Sequence, residues 1–311
     1  MTHKALPIPA ALVTSLVAAL ALAALSRALP AAADDKPEVQ IKTHPLTSGV
    51  AMLEGQGGNI GVSHGEDGVL IIDDQFAPLT EKIKAAVKGL SPKPIRFVLN
   101  THWHGDHTGG NENLAGQGAV ILAHDNVRVR MSHEQANKVF DRKTPPSPEI
   151  ARPVVTYPSE LTVHLNGDDL HLTHVAHAHT DGDSLVHFRK ANVLHMGDCY
   201  FSAGYPFIDV DSGGSLEGYL AAQERALSMV DAKTKIIPGH GPITDRAGLQ
   251  AVHQMLSGVR DRVKKLVAEG KTVQEIVAAK PTAEWDQKYG GAFIKPDAMA
   301  GIAARSLGAR E

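Results

Sequence analysis

The stretch Asn100-Thr101-His102-Trp103-His104-Gly105-Asp106-His107 limits what this chain can become more than any other. It sets three imidazoles and a carboxylate into six consecutive positions, directly after the apolar run Ile95-Arg96-Phe97-Val98-Leu99. That run reads as a buried strand, and Gly105, Gly109 and Gly110 turn the chain sharply as it leaves the sheet. Imidazole nitrogen and carboxylate oxygen are the donors that zinc and similar borderline metals take. His102 and His104 alternate on an extended segment and reach one metal, whereas Asp106 and His107, past the turn, face a second. A histidine-rich surface loop is the plainer reading, but it gives no reason for four such residues to gather at a strand's end.

Further donors must come from other strand ends, and the chain supplies them. Val69–Ile72 is a continuous apolar run ending at Asp73, which either caps that strand or points into the metal loop. Leu79, Ile83, Val87 and Leu90 fall at helical spacing, and Pro92 and Pro94 end that helix before the 95–99 strand. A short helix around Asn111–Leu114 and a strand Val120–Ala123 follow. This alternation argues for an α/β sheet whose functional loops leave the carboxyl ends of strands. Asn126–Asp141 reads as a helix and the proline-rich Thr144–Pro158 as mostly extended or looped, the two forming a cover over the site. Four short strands follow at 161–165, 170–175, 184–188 and 192–196, with His177 and His179 in the turn between the second and third. Either histidine completes a ligand set. Asp198 and Cys199 follow the fourth strand. A helix over Leu216–Met229, a strand Lys235–Ile237 and the loop Pro238-Gly239-His240-Gly241-Pro242 come next. The other histidines, such as His124, His133, His164, His171, His174, His187, His195 and His253, read as structural or surface residues.

His102-x-His104-x-Asp106-His107 resembles the signature of the metallo-β-lactamase fold superfamily. His179, Asp198 and His240 match further family positions in the family's order, so the resemblance covers roughly Leu46 to Leu256. It favours His179 over His177, because the family's third histidine stands before a Thr or Ser, here Thr180; Ala178 stands where the family usually has Gly. It implies a four-layer αβ/βα sandwich, two mixed sheets with helices outside. It also implies two zinc ions per chain, one held by His102, His104 and His179, the other by Asp106, His107 and His240, with Asp198 bridging. Asp106 is then the residue that orients a metal-bound hydroxide for attack on a carbonyl. Cys199, one residue beyond Asp198 on an extended segment, points the other way and reads as a buried non-ligand. The activity implied is that of a β-lactamase-like hydrolase of lactams, lactones or esters. Phe201 stands where many β-lactamases of the fold carry a carboxylate-binding lysine, which disfavours efficient β-lactam turnover. The alternatives are a thioesterase of the glyoxalase II kind and a mononuclear iron dioxygenase acting on a thiol or persulfide. A non-catalytic zinc-binding protein is a third.

The 311 residues, 43% hydrophobic and 21% charged with net charge −3, describe an ordinary globular chain. Nothing in that balance points to nucleic acid, and the expected partner is a small-molecule substrate. Ala10–Leu25 is an apolar run, and Ala31-Ala32-Ala33 then fits a small-residue cleavage site, so residues 1–33 read as a signal peptide for export to the periplasm or medium. The run falls short of the roughly 20 residues that span a bilayer, so no stable membrane anchor is expected after cleavage. Cys199 is the only cysteine, so no internal disulfide forms. Residues 34–311 read as one domain, with a helical C-terminal extension from about Val259 whose Trp285, Tyr289 and Phe293 are most simply packing residues, a substrate wall or dimer contact being the alternative.

Overall fold

Strands buried on both faces dictate the architecture. The computed structural model of the protein describes residues 1–3 and 38–311; the proposed signal segment lies almost wholly outside them. Four antiparallel strands come first: β1 (Lys42–Thr47), β2 (Val50–Glu54), β3 (Ile60–Gly65) and β4 (Gly68–Ile72). Helix α1 (Thr80–Leu90) crosses over to β5 (Ile95–Leu99), which pairs parallel to β4. Two short helices, α2 (Gly105–Thr108) and α3 (Asn111–Ala115), lead to β6 (Val120–His124), again parallel. Helix α4 (Asp125–Met131), a small hairpin of β7 (Gln135–Asn137) and β8 (Arg142–Thr144), and the edge strand β9 (Val155–Tyr157) complete the first half. The seven-stranded sheet therefore runs β1-β2-β3-β4-β5-β6-β9.

A five-stranded sheet follows: β10 (Glu160–Leu165), β11 (Asp168–His174), β12 (Ser184–Phe188), β13 (Val193–His195) and, after helix α5 (Leu216–Met229), β14 (Lys235–Ile237). The last pair is parallel. Helices α6 (Arg246–Ala268), α7 (Val273–Ala278), α8 (Asp286–Tyr289) and α9 (Pro296–Ser306) end the chain. Side-chain alternation assigns the layers. On β4, Leu70 and Ile72 pack with Leu170, Leu172, Val186 and Phe188 in the seam between the sheets, while Val69 and Ile71 pack outward with Ile83 and Val87 of α1. On the second sheet Leu185, Leu194 and Ile236 face Leu220, Leu256 and Ile302 of α5, α6 and α9. Residues 39–311 form one compact unit with the order helices, sheet, sheet, helices. This is the four-layer αβ/βα sandwich that the resemblance implied.

Two expectations from the sequence need correction. Asn126–Asp141 is not one helix. The buried stripe Val127 and Met131 meets polar Gln135 at the next turn, and the chain reverses into the β7–β8 hairpin, with Asp141 at φ 46. The proline-rich segment is extended or looped as expected, forming β9 between Pro153 and Pro158. No boundary falls near Val259, which lies inside α6; that helix starts at Arg246, where Asp245 accepts from the Gly248 amide and caps it.

Candidate metal centre

Every candidate donor sits where a strand ends at the same edge of the sandwich. Leu99 closes β5, and residues 100–104 form a loop rather than the extended segment expected, so His102 and His104 reach a common point through a bend. His104 precedes α2, whose first turn carries Asp106 and His107. The β11–β12 turn presents His179, fully buried, while His177 stands exposed at φ 53 with its Nδ1 against the Gly213 carbonyl. Gly197–Cys199 is a 3-10 turn, so Cys199 leaves the site by rotation about that turn and not by strand alternation; it packs into the helix-side core. Burial pushes its thiol well up.

Two groups of donor atoms result. His102, His104, His179 and Asp198 form one, and Asp106, His107 and His240 the other. In the first, His104 Nδ1 lies 3.1 Å from His102 Nε2 and 2.9 Å from His179 Nε2. Outer partners settle which nitrogens carry protons. His179 Nδ1 donates to the Phe207 carbonyl at 2.8 Å, and His104 Nε2 donates to Asp209 Oδ2 at 2.9 Å. Thr101 Oγ1 donates to Asp73 Oδ2 at 2.8 Å, and so accepts from His102 Nδ1 at 3.0 Å. The three inward nitrogens are therefore lone pairs at close range, an arrangement that calls for a cation between them. Burial holds His102 well below its ordinary pKa and His179 down to about 4, so both rings stay neutral, as ligands must be.

The second group repeats the logic with more negative charge. His107 Nδ1 donates to Asp73 Oδ2 at 2.7 Å, which leaves its Nε2 turned to the cluster, free to carry a proton or to ligate. That atom lies 3.1 Å from Asp198 Oδ1 without the alignment of a hydrogen bond, and both are buried without a partner. A ring nitrogen facing a carboxylate oxygen at this distance fits a cation between or upon them, a proton or a metal. Asp198 Oδ1 is also 3.5 Å from His240 Nε2, while its Oδ2 lies 3.6 Å from His179 Nε2 and 4.0 Å from His102 Nε2. One carboxylate thus turns one oxygen to each group. Asp106 Oδ2 sits 3.2 Å from His240 Nε2 and 3.6 Å from His107 Nε2. Burial opposes charge at His240, but Asp198 and Asp106 outweigh it and push the ring up to about 9. Burial opposes charge at His107 too, but Asp198, Asp106 and Asp73 push that ring well up, and its charge in turn holds Asp106 and Asp198 well down against their own burial. The acidic half of the site thus favours a positive charge, whether a proton or a metal.

Several supporting residues escaped the sequence reading. Asp209 orients His104 from 105 positions away. Asn59 holds the His240 loop, its amide donating to the Pro238 carbonyl at 2.9 Å and the Gly241 carbonyl at 2.8 Å. A side chain at Gly58 would strike the His107 ring, with a Cβ only 2.1 Å from its Cε1, and one at Gly239 would lie 2.0 Å from Asp198 Oδ1. Gly55, Gly57 and Gly58 stand close together in the sequence, but nothing nearby names the ring they must clear. Asp73, left between two roles by its sequence, accepts from the Thr101 amide, the Thr101 hydroxyl and His107 at once. Phe201 lies at the site, its ring 5.0 Å from that of His240 and near parallel to it.

Comparison with known proteins agrees with this geometry. Residues 53–241, more than half of the chain, match the family model of the metallo-beta-lactamase superfamily. A beta-lactamase-like protein 2 homolog of Caenorhabditis elegans is 22% identical over 67% of this chain and 64% of its own length. A hydroxyacylglutathione hydrolase of Nitrosococcus oceani is 27% identical over 50% of this chain and 51% of its own. The chain thus spans about half to two thirds of these relatives. Among solved structures, a metallo-beta-lactamase from Pontibacter korlensis has a TM-score of 0.57 at 19% identity, covering 70% of this chain and 99% of that one. The sec-alkylsulfatase Pisa1 of a Pseudomonas species has a TM-score of 0.66 at 18% identity, covering 86% of this chain and 50% of that one. With the αβ/βα sandwich and the histidine–aspartate cluster at its strand ends, the chain belongs to the metallo-beta-lactamase superfamily.

Proposed function

We propose that this chain is a dinuclear zinc hydrolase, exported, that cleaves an uncharged ester or lactone. His102, His104 and His179 would hold one zinc, Asp106, His107 and His240 the other, and Asp198 both. The observation that carries the reading is the pair of Asp198 oxygens, Oδ2 turned to one histidine group and Oδ1 to the other. When bound, zinc supplies Lewis-acid polarisation of the substrate oxygen and water acidified to a pKa of about 7. The chain's own residues supply orientation. Asp73, Thr101, Asp209 and the Phe207 carbonyl fix four imidazole tautomers so that each lone pair points inward. Asp106, whose side chain is 29% exposed where Asp198 is 5%, is the carboxylate open enough to hold and align a water that attacks a carbonyl.

Phe201 against His240 supports an uncharged substrate, since it gives a carboxylate no partner at that position. The similarity to hydroxyacylglutathione hydrolases supports acyl-ester or thioester cleavage over lactam opening. Export rests on the 1–33 segment alone. Among the described residues no helix is long and apolar enough to cross a membrane. The test is elemental analysis of protein purified with zinc, beside a hydrolysis panel of lactones, esters, thioesters and penicillins. About two zinc equivalents with turnover of uncharged esters or lactones is the expected result. A single equivalent that added zinc does not raise, or iron with oxygen uptake on a thiol, overturns it.

A further inference from the structure

The site opens beside a run of aromatic rings that the chemistry above does not use. The Phe207 ring lies 5.7 Å from His179 and 6.1 Å from His104, Phe140 lies 5.0 Å from Phe207, and Phe293 lies 5.5 Å from Phe140. Exposure grows outward along the run: 8% at Phe207, 43% at Phe140 and 74% at Phe293. Three distant segments build it: the turn of the β7–β8 hairpin, the loop after Asp198, and the link between α8 and α9.

We infer that Phe140, Phe207 and Phe293 form one wall that receives the apolar tail of the substrate, the carbonyl end sitting at the histidine–aspartate cluster; this rests on the hydrolase reading above. A contiguous set of exposed large rings marks a binding surface, where a lone exposed ring does not. These rings are also held in place. The Lys138 amide donates to Asp211 Oδ2 at 2.7 Å, Asn137 Nδ2 donates to Asp209 Oδ1 at 3.4 Å, and the Phe140 amide donates to Asn137 Oδ1 at 3.1 Å. Ile294, next to Phe293, is buried and bridged antiparallel to Tyr205. Charges beside the run are turned on each other, Lys138 Nζ 3.7 Å from Asp211 and Asp209 on His104, so the wall presents rings and no uncommitted charge from these residues. An alkyl or aryl tail matches that surface, whereas a polar or anionic one does not. Phe293, too exposed to be a packing residue, takes the alternative role of a wall.

A buried methylene contributes about fourfold to affinity, and about twofold on a wall open to solvent on one side. From γ-hexalactone to γ-decalactone, four methylenes longer, KM of the wild type should therefore fall about fifteenfold, given twofold per methylene. In the F140A/F293A protein that ratio should shrink to about threefold or less, while F140L/F293L keeps most of it, because apolar area and not ring chemistry is at issue. Binding is read separately, by saturation-transfer NMR with 2-hexanone and 2-decanone, ketones that no hydrolase consumes. A tail-length preference in wild type that the alanine pair loses supports the wall even if no lactone is turned over, in which case only the hydrolase reading falls. Equal tail-length dependence in wild type and the alanine pair, or none in wild type, overturns the wall and leaves that reading untouched.

Discussion

Asp73→Asn isolates the tautomer logic on which the centre depends. Asp73 adopts φ 64, and Asn is among the residues that tolerate this region best, so the backbone has no cause to move. The fully buried carboxylate accepts from the Thr101 amide at 2.8 Å, the Thr101 hydroxyl at 2.8 Å and His107 Nδ1 at 2.7 Å. An amide has one accepting oxygen and one donating nitrogen, so at least one of these three donors then faces a donor. If the nitrogen faces His107, the ring protonates on Nε2 and its inward lone pair is lost. If it faces Thr101, a backbone bond is lost instead. The loss of one charge-assisted bond contributes roughly 1.5–3 kcal/mol of destabilisation, and removing an outer partner of a ligating histidine weakens metal binding about 10- to 100-fold. The loss should fall most on the metal held by His107; the other site feels it only through Thr101 and His102, while Asp209 and the Phe207 carbonyl keep His104 and His179 aimed. Competition with a graded chelator resolves the two equivalents, and ¹⁵N NMR of the histidine rings reports the His107 tautomer directly. Unchanged affinity of the second equivalent, or equal weakening of both, refutes the assignment of Asp73 as the residue that aims His107.

Three further outcomes follow from the same geometry. Cys199→Ser should leave metal content and activity nearly intact, because Cys199 packs into the helix-side core, whereas Asp198→Ala should lose metal and most turnover; the reverse pattern in a metal assay shows a misassigned register. Phe201→Lys should lower KM for penicillins about ten- to a hundredfold, the value of one charge-assisted bond, since residue 201 sits against His240; a wild-type KM already in the low micromolar range contradicts this. Chelation should lower the melting temperature by roughly 10 °C, since a metal at about 1,000 times its Kd stabilises by about 4 kcal/mol; a melting curve indifferent to chelator speaks against a metal that both sheets hold.

The candidate donors were legible because they are short-range and chemically rare. His102, His104, Asp106 and His107 crowd one loop, and His179, Asp198 and His240 each follow an apolar strand by a few residues. The paired sheets were legible from the same apolar runs, whose alternate faces fill the seam and the helix layers. What could not be read is pairing across long separations. Asn59 and the His240 loop are 182 positions apart at the Gly241 carbonyl, and Asp209 looks in sequence like any acid among apolar neighbours. The β7–β8 hairpin was hidden for another reason. Its strands span three residues each, too few for alternation to show, and its turn is held by Asp211 from a distant loop.

The residues that carry the family pattern are therefore only half of the centre's design. Seven side chains offer lone pairs, but a second set decides where those lone pairs point, and it is drawn largely from one stretch. Within residues 207–211, the Phe207 carbonyl fixes His179, the Asp209 carboxylate fixes His104 and reaches Asn137, and Asp211 holds the hairpin at Lys138. The Phe207 ring meanwhile begins the aromatic run whose next member, Phe140, rides on that hairpin. Orientation of two imidazoles and placement of the wall beside them thus share one loop and one buried carboxylate. A change that shifts this loop cannot retune substrate preference without also turning His104 and His179. Asp209 links the two because it is 1% exposed and its oxygens serve His104, Ser212 and Asn137 together, leaving it no spare position to adopt. Variation in specificity is accordingly expected at Phe140 and Phe293, the outer rings, where side chains can change without disturbing that carboxylate.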